Sequence, residues 1–421
     1  MEALRRFLRV ATIDTEPLRQ YRDFRLLFAG QAVSLFGSQI RYVALAFQAY
    51  QLTRSSLAVG LIGLAEIIPI LSLAFLGGAL ADFHDRRRLV QVTELTLAVS
   101  SAVLVANALL PQPQLWLLYL VAAASAGVDA IQRPSLDALL PRLVDRADLT
   151  PAIALNSLQS NGGQIAGPAL GGVLIGVAGL PATYGIDVAT FAVSLLMLQR
   201  MRAVPPPAGA GPPSIRRVLE GLRYARSNPQ LIGTYLVDMA AMFFGMPMAL
   251  FPALASTYGG PAVLGALYAA PSVGSFLATL TSGWTSHVHR QGRAVVIAAL
   301  AWGVAIIAFG LSGRLWLALI FLAFAGGADM ISGLFRTTIW NQTVPDALRG
   351  RLAGIEMISY STGPALGDLE AGAVGTLFSV RVAVVSGGIL SVASVVILSL
   401  LLPAFRQYDN RHQPAEPARH S

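Results

Sequence analysis

The sequence predicts an all-α polytopic membrane protein with twelve transmembrane helices in two six-helix pseudo-repeats and both termini in the cytoplasm. Three observations carry this prediction. Of 421 residues, 55% are hydrophobic and 12% are charged, about half the charged fraction of roughly 25% in soluble domains. The chain falls into twelve apolar stretches, each near the roughly 20 residues a helix needs to cross a hydrocarbon core of about 30 Å. Short motifs also recur, in order, at an offset near 200 residues.

The first six stretches run over 26–50, 57–81, 89–110, 115–132, 152–178 and 181–200. The second six run over 231–255, 262–285, 294–312, 315–335, 350–376 and 381–402. Pro-Gln-Pro-Gln at 111–114 and Gly-Leu-Pro at 179–181 punctuate neighbouring spans, since proline and glycine interrupt helical hydrogen bonding. The first span is too long for a signal-peptide core and no small-residue cleavage pattern ends it, so it reads as a retained anchor.

Lysine is absent, and the 30 basic residues are all arginine. Twenty-six of them fall in the N-terminal segment, in the loops after spans two, four, six, eight and ten, or in the tail. Arg54, Arg314 and Arg381 lie on the opposite side, and Arg41 lies inside a span. That asymmetry sets both termini in the cytoplasm. The net charge of +8 therefore belongs to a membrane protein and not to a nucleic-acid binder. The resulting organisation is a cytoplasmic segment 1–25, a six-helix bundle 26–201, a cytoplasmic linker 202–230, a second bundle 231–402 and a tail 403–421.

The linker holds Pro205-Pro206-Pro207 and then Ile215, Val218, Leu219 and Leu222 at helical spacing, flanked by Arg216, Arg217, Arg223 and Arg226. This pattern predicts a hinge followed by an amphipathic helix on the cytoplasmic leaflet, and residues 1–12 share it.

Several chemistries are excluded. Without cysteine there are no disulfides, thiolate metal sites or cysteine nucleophiles, and without lysine there is no Walker A phosphate loop and no Schiff base. The five histidines fall in predicted loops or the tail, and the flanks of His287-Val288-His289 supply no third ligand, so no metal is expected.

The repeat shows in Gly127-Val128-Asp129 against Gly327-Ala328-Asp329, and in Gly167-Pro168-Ala169-Leu170-Gly171 against Gly363-Pro364-Ala365-Leu366-Gly367. Six spans, a basic linker and six related spans describe a transporter built from two bundles.

The segment Gly77-Gly78-Ala79-Leu80-Ala81-Asp82-Phe83-His84-Asp85-Arg86-Arg87-Arg88 resembles the loop signature of the major facilitator superfamily. That signature is glycine-x-leucine-alanine-aspartate followed by an arginine cluster. Asp85 stands where the pattern has glycine, and Phe83 where it often has arginine. The resemblance covers about residues 20–405 and implies the major facilitator fold. The run Gly163, Gln164, Ile165, Ala166, Gly167, Pro168, Ala169, Leu170, Gly171, Gly172 resembles the antiporter signature of exporting members, with Ala154 in place of its upstream glycine. Asn107–Pro113 and the Tyr268–Gly283 region look most like the enterobactin-exporter and macrolide-efflux branch.

The resemblance implies a cytoplasmic latch in which Gly78 permits close packing, Asp82 meets the N-terminus of span eleven near Leu348–Gly350, and Arg86 pairs with Asp129 at the end of span four. Asp329 with Arg290 or Arg293 would repeat it. The residues alone show a glycine stripe at 163, 167, 171 and 172 suited to close helix approach, with Pro168 able to kink the span.

Ionisable groups inside spans are expensive and mark ion or proton pathways. Glu66 lies roughly 14 Å from the outer end of span two and Asp238 about 10 Å from the cytoplasmic end of span seven. These two are the expected proton-coupling carboxylates, Glu66 first, with Arg41 as counter-charge. Asp187, Glu356 and Tyr360 are further cavity candidates, Glu356 and Tyr360 sharing a face with Gly363 and Gly367. Glu94, Asp368 and Glu370 fall near span ends and are expected at the interface.

The expected function is export of an amphiphilic drug, antibiotic or siderophore across the cytoplasmic membrane, driven by a proton gradient without a cofactor. A monomer in the lipid bilayer is the expected state, with no nucleic-acid partner. The alternatives are an importer or uniporter on the same fold and a non-transporting receptor. An intramembrane enzyme has no Ser/His pair or metal cluster to work with in the spans.

Overall fold

Every regular element among the described residues is helical. The structure, a computed structural model, describes residues 14–204, 223–224, 226–345 and 349–412, with the backbone alone at 74–83, 349–351, 353–355, 357–358 and 412. The expected amphipathic helices at 1–12 and in most of the linker lie outside the described residues. So do the side chains of Gly78 and Asp82 and the start of span eleven at Leu348.

The first long helices are α1 (Arg22–Thr53), α2 (Ser56–Phe83), α3 (Arg86–Leu109) and α4 (Leu115–Leu143). Asp85 starts α3 by accepting the Arg88 backbone N–H at 3.1 Å, one of the donors that the first turn of a helix leaves free. Between α3 and α4, Asn107 closes the proline-rich turn: its Nδ2 donates to the Gln114 carbonyl at 3.1 Å and its Oδ1 accepts the Gln114 N–H at 2.8 Å. The helix Leu149–Gln199 is interrupted at Gly179, where φ 77° and ψ 172° turn the chain. It is therefore two helices, α5 (149–178) and α6 (180–199), as Gly-Leu-Pro predicts.

The later helices are α7, which runs Pro229–Gly245 and resumes as Phe251–Tyr258 after a 3-10 turn at Met248–Leu250, then α8 (Pro261–Leu280) and α9 (Gln291–Leu311). They are followed by α10 (Leu315–Thr343), α11 (Arg349–Leu377) and α12 (Val380–Leu401). Among the described residues, nine segments are long and apolar enough to cross a membrane; one of them, Arg146–Gln199, has 54 residues, about twice a single crossing.

Three boundaries depart from expectation. Helices α4 and α10 run on to Leu143 and Thr343 where the apolar stretches end at 132 and 335. Arg133 and Arg336 are thus helical residues and not loop residues, because backbone hydrogen bonding continues after hydropathy falls. Span seven is broken at Met246-Pro247, since proline removes a donor and ends the first segment. Asp368 Oδ1 accepts the freed Ala249 N–H at 2.9 Å, which ties this carboxylate to the break in α7.

The outward surface is apolar. On α3, Val92, Leu95 and Val99 are 61%, 55% and 57% exposed while Glu94 is 1% exposed. Lipid solvates the first group and would not solvate the second, which inverts the pattern of a water-soluble helix.

The chain gathers into two units. One comprises Met1–Arg54, Ala65–Pro213 and Ala255–Ala269; the other comprises Ser55–Leu64, Ser214–Leu254 and Ala270–Ser421. Each takes a short piece from the other half of the sequence, and glycine explains both. In the first unit, a Cβ on Gly172 would stand 2.8 Å from the Gly265 Cα of α8. In the second, a Cβ on Gly60 would stand 2.9 Å from the Leu369 Cα of α11. Such separations let helix backbones touch, the packing that membrane helices rely on where apolar burial offers no net drive.

The repeated motif packs the same way twice. Gly163, Gly167 and Gly171 face Leu35, Gln39 and Ile40 of α1, and Gly363 and Gly367 face Met239 and Met242 of α7. A Cβ on Gly367 would lie 2.5 Å from the Met242 carbonyl oxygen and 2.7 Å from that of Phe243, whereas one on Gly162 would meet nothing within 4 Å. Gly367→Leu should therefore destabilise by about 1–3 kcal/mol or more and Gly162→Leu by under about 0.5 kcal/mol. Thermal unfolding of the purified protein in detergent compares the two; equal midpoints would refute the packing account.

Candidate functional site

In the first unit, α1, α3 and α6 close around a buried ion pair. Arg41 Nη1 stands 3.5 Å from Asp187 Oδ2, with the two side chains 6% and 0% exposed. Ser101 bridges them, accepting from Arg41 Nη1 at 3.1 Å and donating to Asp187 Oδ2 at 2.5 Å. The guanidinium carbon lies 5.6 Å from the centroid of the Phe191 ring, within cation–π range. Gly37 faces Thr190 and Asp187, and the bare backbone there leaves room for the carboxylate. Asp187 is thus the described counter-charge of Arg41, in place of the expected Glu66, which is half-buried on α2.

Beside this pair opens a cavity of about 930 Å³, lined by residues of α1, α3, α4, α5 and α6. Glu94 is on its wall, buried and not exposed. Glu94 Oε1 accepts from Gln31 Nε2 at 2.8 Å, Ser34 Oγ at 3.2 Å and Gln132 Nε2 at 3.2 Å. The Ser194 hydroxyl is a further hydrogen-bonding neighbour of this carboxylate. Asp129 lines the same cavity, in electrostatic reach of Arg41 and Asp187.

The extension of α4 changes the reading of Asp129. It sits in the middle of the helix, while Arg86 Nη1 donates to the Ala138 carbonyl at 3.1 Å. Those two positions are about 13 Å apart along the helix axis, so Arg86 and Asp129 are not paired in this state. Just before α1 in the same unit, the Tyr21 hydroxyl donates to Asp148 Oδ2 at 2.8 Å and Asp145 Oδ2 at 3.0 Å. The hydrogen bond to Asp148 is the largest cause that pushes the phenol up to about 12.

In the second unit, Arg336 of α10 pairs through Nη1 with Asp238 of α7, and its Nη2 lies 3.5 Å from Asp329 Oδ1. Asp329 and Arg336 are seven residues apart on α10 and share a face. A cavity of about 290 Å³ is lined by Asp238, Arg336, Glu356 and Tyr360 among others. Above it Trp340 Nε1 donates to the Tyr235 hydroxyl at 3.1 Å. The structure thus joins three expected candidates, Asp238, Glu356 and Tyr360, around an arginine that sequence reading assigned to a loop. Glu66 lines neither cavity.

Two residues escaped the sequence reading. Arg336 was hidden because hydropathy ends span ten one residue before it. Its signal is the i, i+7 relation to Asp329. Glu94 was hidden by its nearness to the start of span three. Its signal is the pair Gln31 and Ser34, polar and three residues apart on one face of α1.

Removing one member of a buried pair strands the other charge, at a cost of about 3–5 kcal/mol, whereas replacing both with apolar groups relieves most of it. Asp187→Leu should lower the stability of the purified protein by that amount, and adding Arg41→Met should restore most of the loss. Denaturation midpoints of wild type, both single variants and the double variant measure the cycle; additive losses would refute a direct pairing.

Comparison with known proteins bears on the fold and the family. The model of a family described as transmembrane secretion effector matches residues 13–419. The enterobactin exporters EntS of Citrobacter koseri and Shigella boydii serotype 18 are each 31% identical over 403 residues, covering 93% of this chain and 95% of theirs. Among solved structures, the nucleoside transporter NupG superposes with a TM-score of 0.71 at 13% identity, covering 92% of this chain and 100% of that one. A POT family transporter in complex with 5-aminolevulinic acid superposes with a TM-score of 0.72 at 11% identity, covering 91% and 97%. The two solved structures establish the fold. The family match spans nearly every residue, and the chain belongs to the transmembrane secretion effector family of the major facilitator superfamily.

Proposed function

We propose that this transporter is a secondary active exporter of the cytoplasmic membrane, moving amphiphilic small molecules outward in exchange for protons. The observation that carries the reading is Asp238 held by Arg336 in the wall of a cavity. Protonating Asp238 removes the charge that holds the guanidinium, and Asp329, 3.5 Å from the same guanidinium, is placed to take it over. A proton arriving at the carboxylate is thereby converted into movement of a helix-borne charge. Glu66, in the apolar run of α2, is the other coupling candidate.

The relatives are named as exporters of enterobactin, which supports the outward direction and a siderophore among the candidate cargoes. Drugs and antibiotics of amphiphilic character fit the same cavities. Twelve crossings with both termini in the cytoplasm accord with the arginine asymmetry. Alternating access by rocking of the bundles 26–201 and 231–402 accords with the internal repeat. The antiporter-like stripe Gly163, Gly167, Pro168, Gly171 and Gly172 supplies a close-packed surface for that motion. Gly78, Asp82, Arg86 and Asp129 remain the proposed latch of another state.

Two measurements test this. In proteoliposomes under an imposed pH gradient, a panel of siderophores, macrolides and lipophilic cations should include a compound whose flux is accompanied by proton counterflow. Asp238→Asn should abolish the coupled signal; proton-coupled flux that survives both Asp238→Asn and Glu66→Gln would remove these carboxylates from the mechanism. For topology, the absence of native cysteine makes any introduced thiol unique. A membrane-impermeant maleimide should label Pro113→Cys in whole cells and Asp145→Cys only after permeabilisation; the reverse pattern would invert the orientation.

A further inference from the structure

Helix α11 holds the starts of two other helices of the second unit, an arrangement that neither the charge pairs nor the cavities use. Where α7 breaks at Met246-Pro247, Asp368 Oδ1 accepts the Ala249 N–H at 2.9 Å, and the Met248 N–H is a second hydrogen-bonding neighbour of the carboxylate. At the start of α2, Thr376 Oγ1 accepts the Leu57 N–H at 3.0 Å and donates to the Gly372 carbonyl of its own helix at 2.8 Å. Ser55 Oγ lies 3.3 Å from the same Thr376 oxygen. The first turn of a helix leaves such N–H groups without carbonyl partners, and a side-chain oxygen that accepts from them is a cap. Caps ordinarily come from the residue just before the helix. These two come from another helix, 119 and 319 residues away in the chain.

Close packing alone does not call for them. Gly60 and Gly372 already bring α2 and α11 into backbone contact, a Cβ on Gly372 standing 2.6 Å from the Ser56 carbonyl oxygen. In the first unit, the repeat-related contact of α5 with α8 is bare backbone: Gly172, which corresponds to Asp368, meets Gly265.

The capped segments also share a place in the chain. Ser55–Leu64 and Ser214–Leu254 belong to the second unit, and the chain runs on into the first unit directly after each, at Ala65 and Ala255. Asp368 and Thr376 thus fasten to α11 both of the segments from which the chain leaves the unit. The two caps are about 12 Å apart along one continuous helix. A shift of α11 by about 1 Å takes either bond beyond hydrogen-bonding distance, and the same helix carries both.

We propose that α11 is a two-point clasp, in which the Asp368 and Thr376 caps open and close as one event and so form a conformational switch of the second unit. When both are made, the starts of α2 and of the resumed α7 move with α11. When both are released, those two segments are free to move apart from it.

Hydrogen–deuterium exchange of the purified full-length protein in nanodiscs, read by mass spectrometry of peptides covering 55–64 and 248–254, tests the clasp. Asp368→Ala should speed exchange about fivefold at 248–254, the size that loss of one cap carries. It should speed 55–64 by a similar factor, although the Asp368 carboxylate has no hydrogen bond there. Thr376→Val should likewise speed both segments. Asp368→Asn and Thr376→Ser keep an accepting oxygen and should leave both protected. Acceleration confined to the segment whose own cap was removed shows two independent caps and overturns the proposal. The wild type supplies a comparison that needs no variant to fold. At alkaline pH, where every opening leads to exchange, the two segments should exchange with one opening rate, and unequal rates overturn the proposal as well. No substrate takes part, so the outcome stands apart from the exporter reading, whose own test is flux.

Discussion

A guanidinium in an apolar interior has to keep a carboxylate beside it, and the polar architecture of both units follows from that requirement. Arg41 is tied to Asp187 through Ser101, and Arg336 to Asp238. In each unit the arginine has a second aspartate within electrostatic reach, Asp129 or Asp329, and those two are related by the internal repeat. The pairs themselves are not repeat-related. Arg41 is on α1, whereas Arg336 is on α10. Two independent solutions to one desolvation problem have thus grown around a shared aspartate position.

Helix packing shows the same mixture of repetition and divergence. The Gly-Pro-Ala-Leu-Gly motif presses α5 against α1 and α11 against α7 through equivalent glycines. One residue further on the copies part. At the same offset Gly172 becomes Asp368, which caps the restarted half of α7 by accepting the Ala249 N–H. The first copy uses its glycine for backbone contact with Gly265. A side chain that would block close approach in one copy satisfies a broken helix in the other.

The two cavities differ accordingly. That of the second unit is small and built around a paired arginine. That of the first is about three times larger, with Glu94, Asp129 and Asp137 among its lining residues.

Much of the fold was legible in the residues. Hydropathy located the helices, Gly-Leu-Pro marked the turn between α5 and α6 at Gly179, and the glycine motifs foretold close approach. Asp238, Glu356 and Tyr360 were legible as site candidates because charged and polar groups are conspicuous in apolar spans. The partners were not. Hydropathy is a local sum, so it ended α4 and α10 where polar residues begin, although hydrogen bonding carries both helices to Leu143 and Thr343. Which charges meet depends on the rotation of each helix about its axis and on how closely glycines let backbones approach. By itself the sequence determined a membrane-spanning, twice-repeated helical chain, because the bilayer constrains length and polarity residue by residue. Only the tertiary structure decided that Arg41 faces Asp187, that Arg336 faces Asp238 and that Glu94 looks into a cavity, because those meetings join residues far apart in the chain.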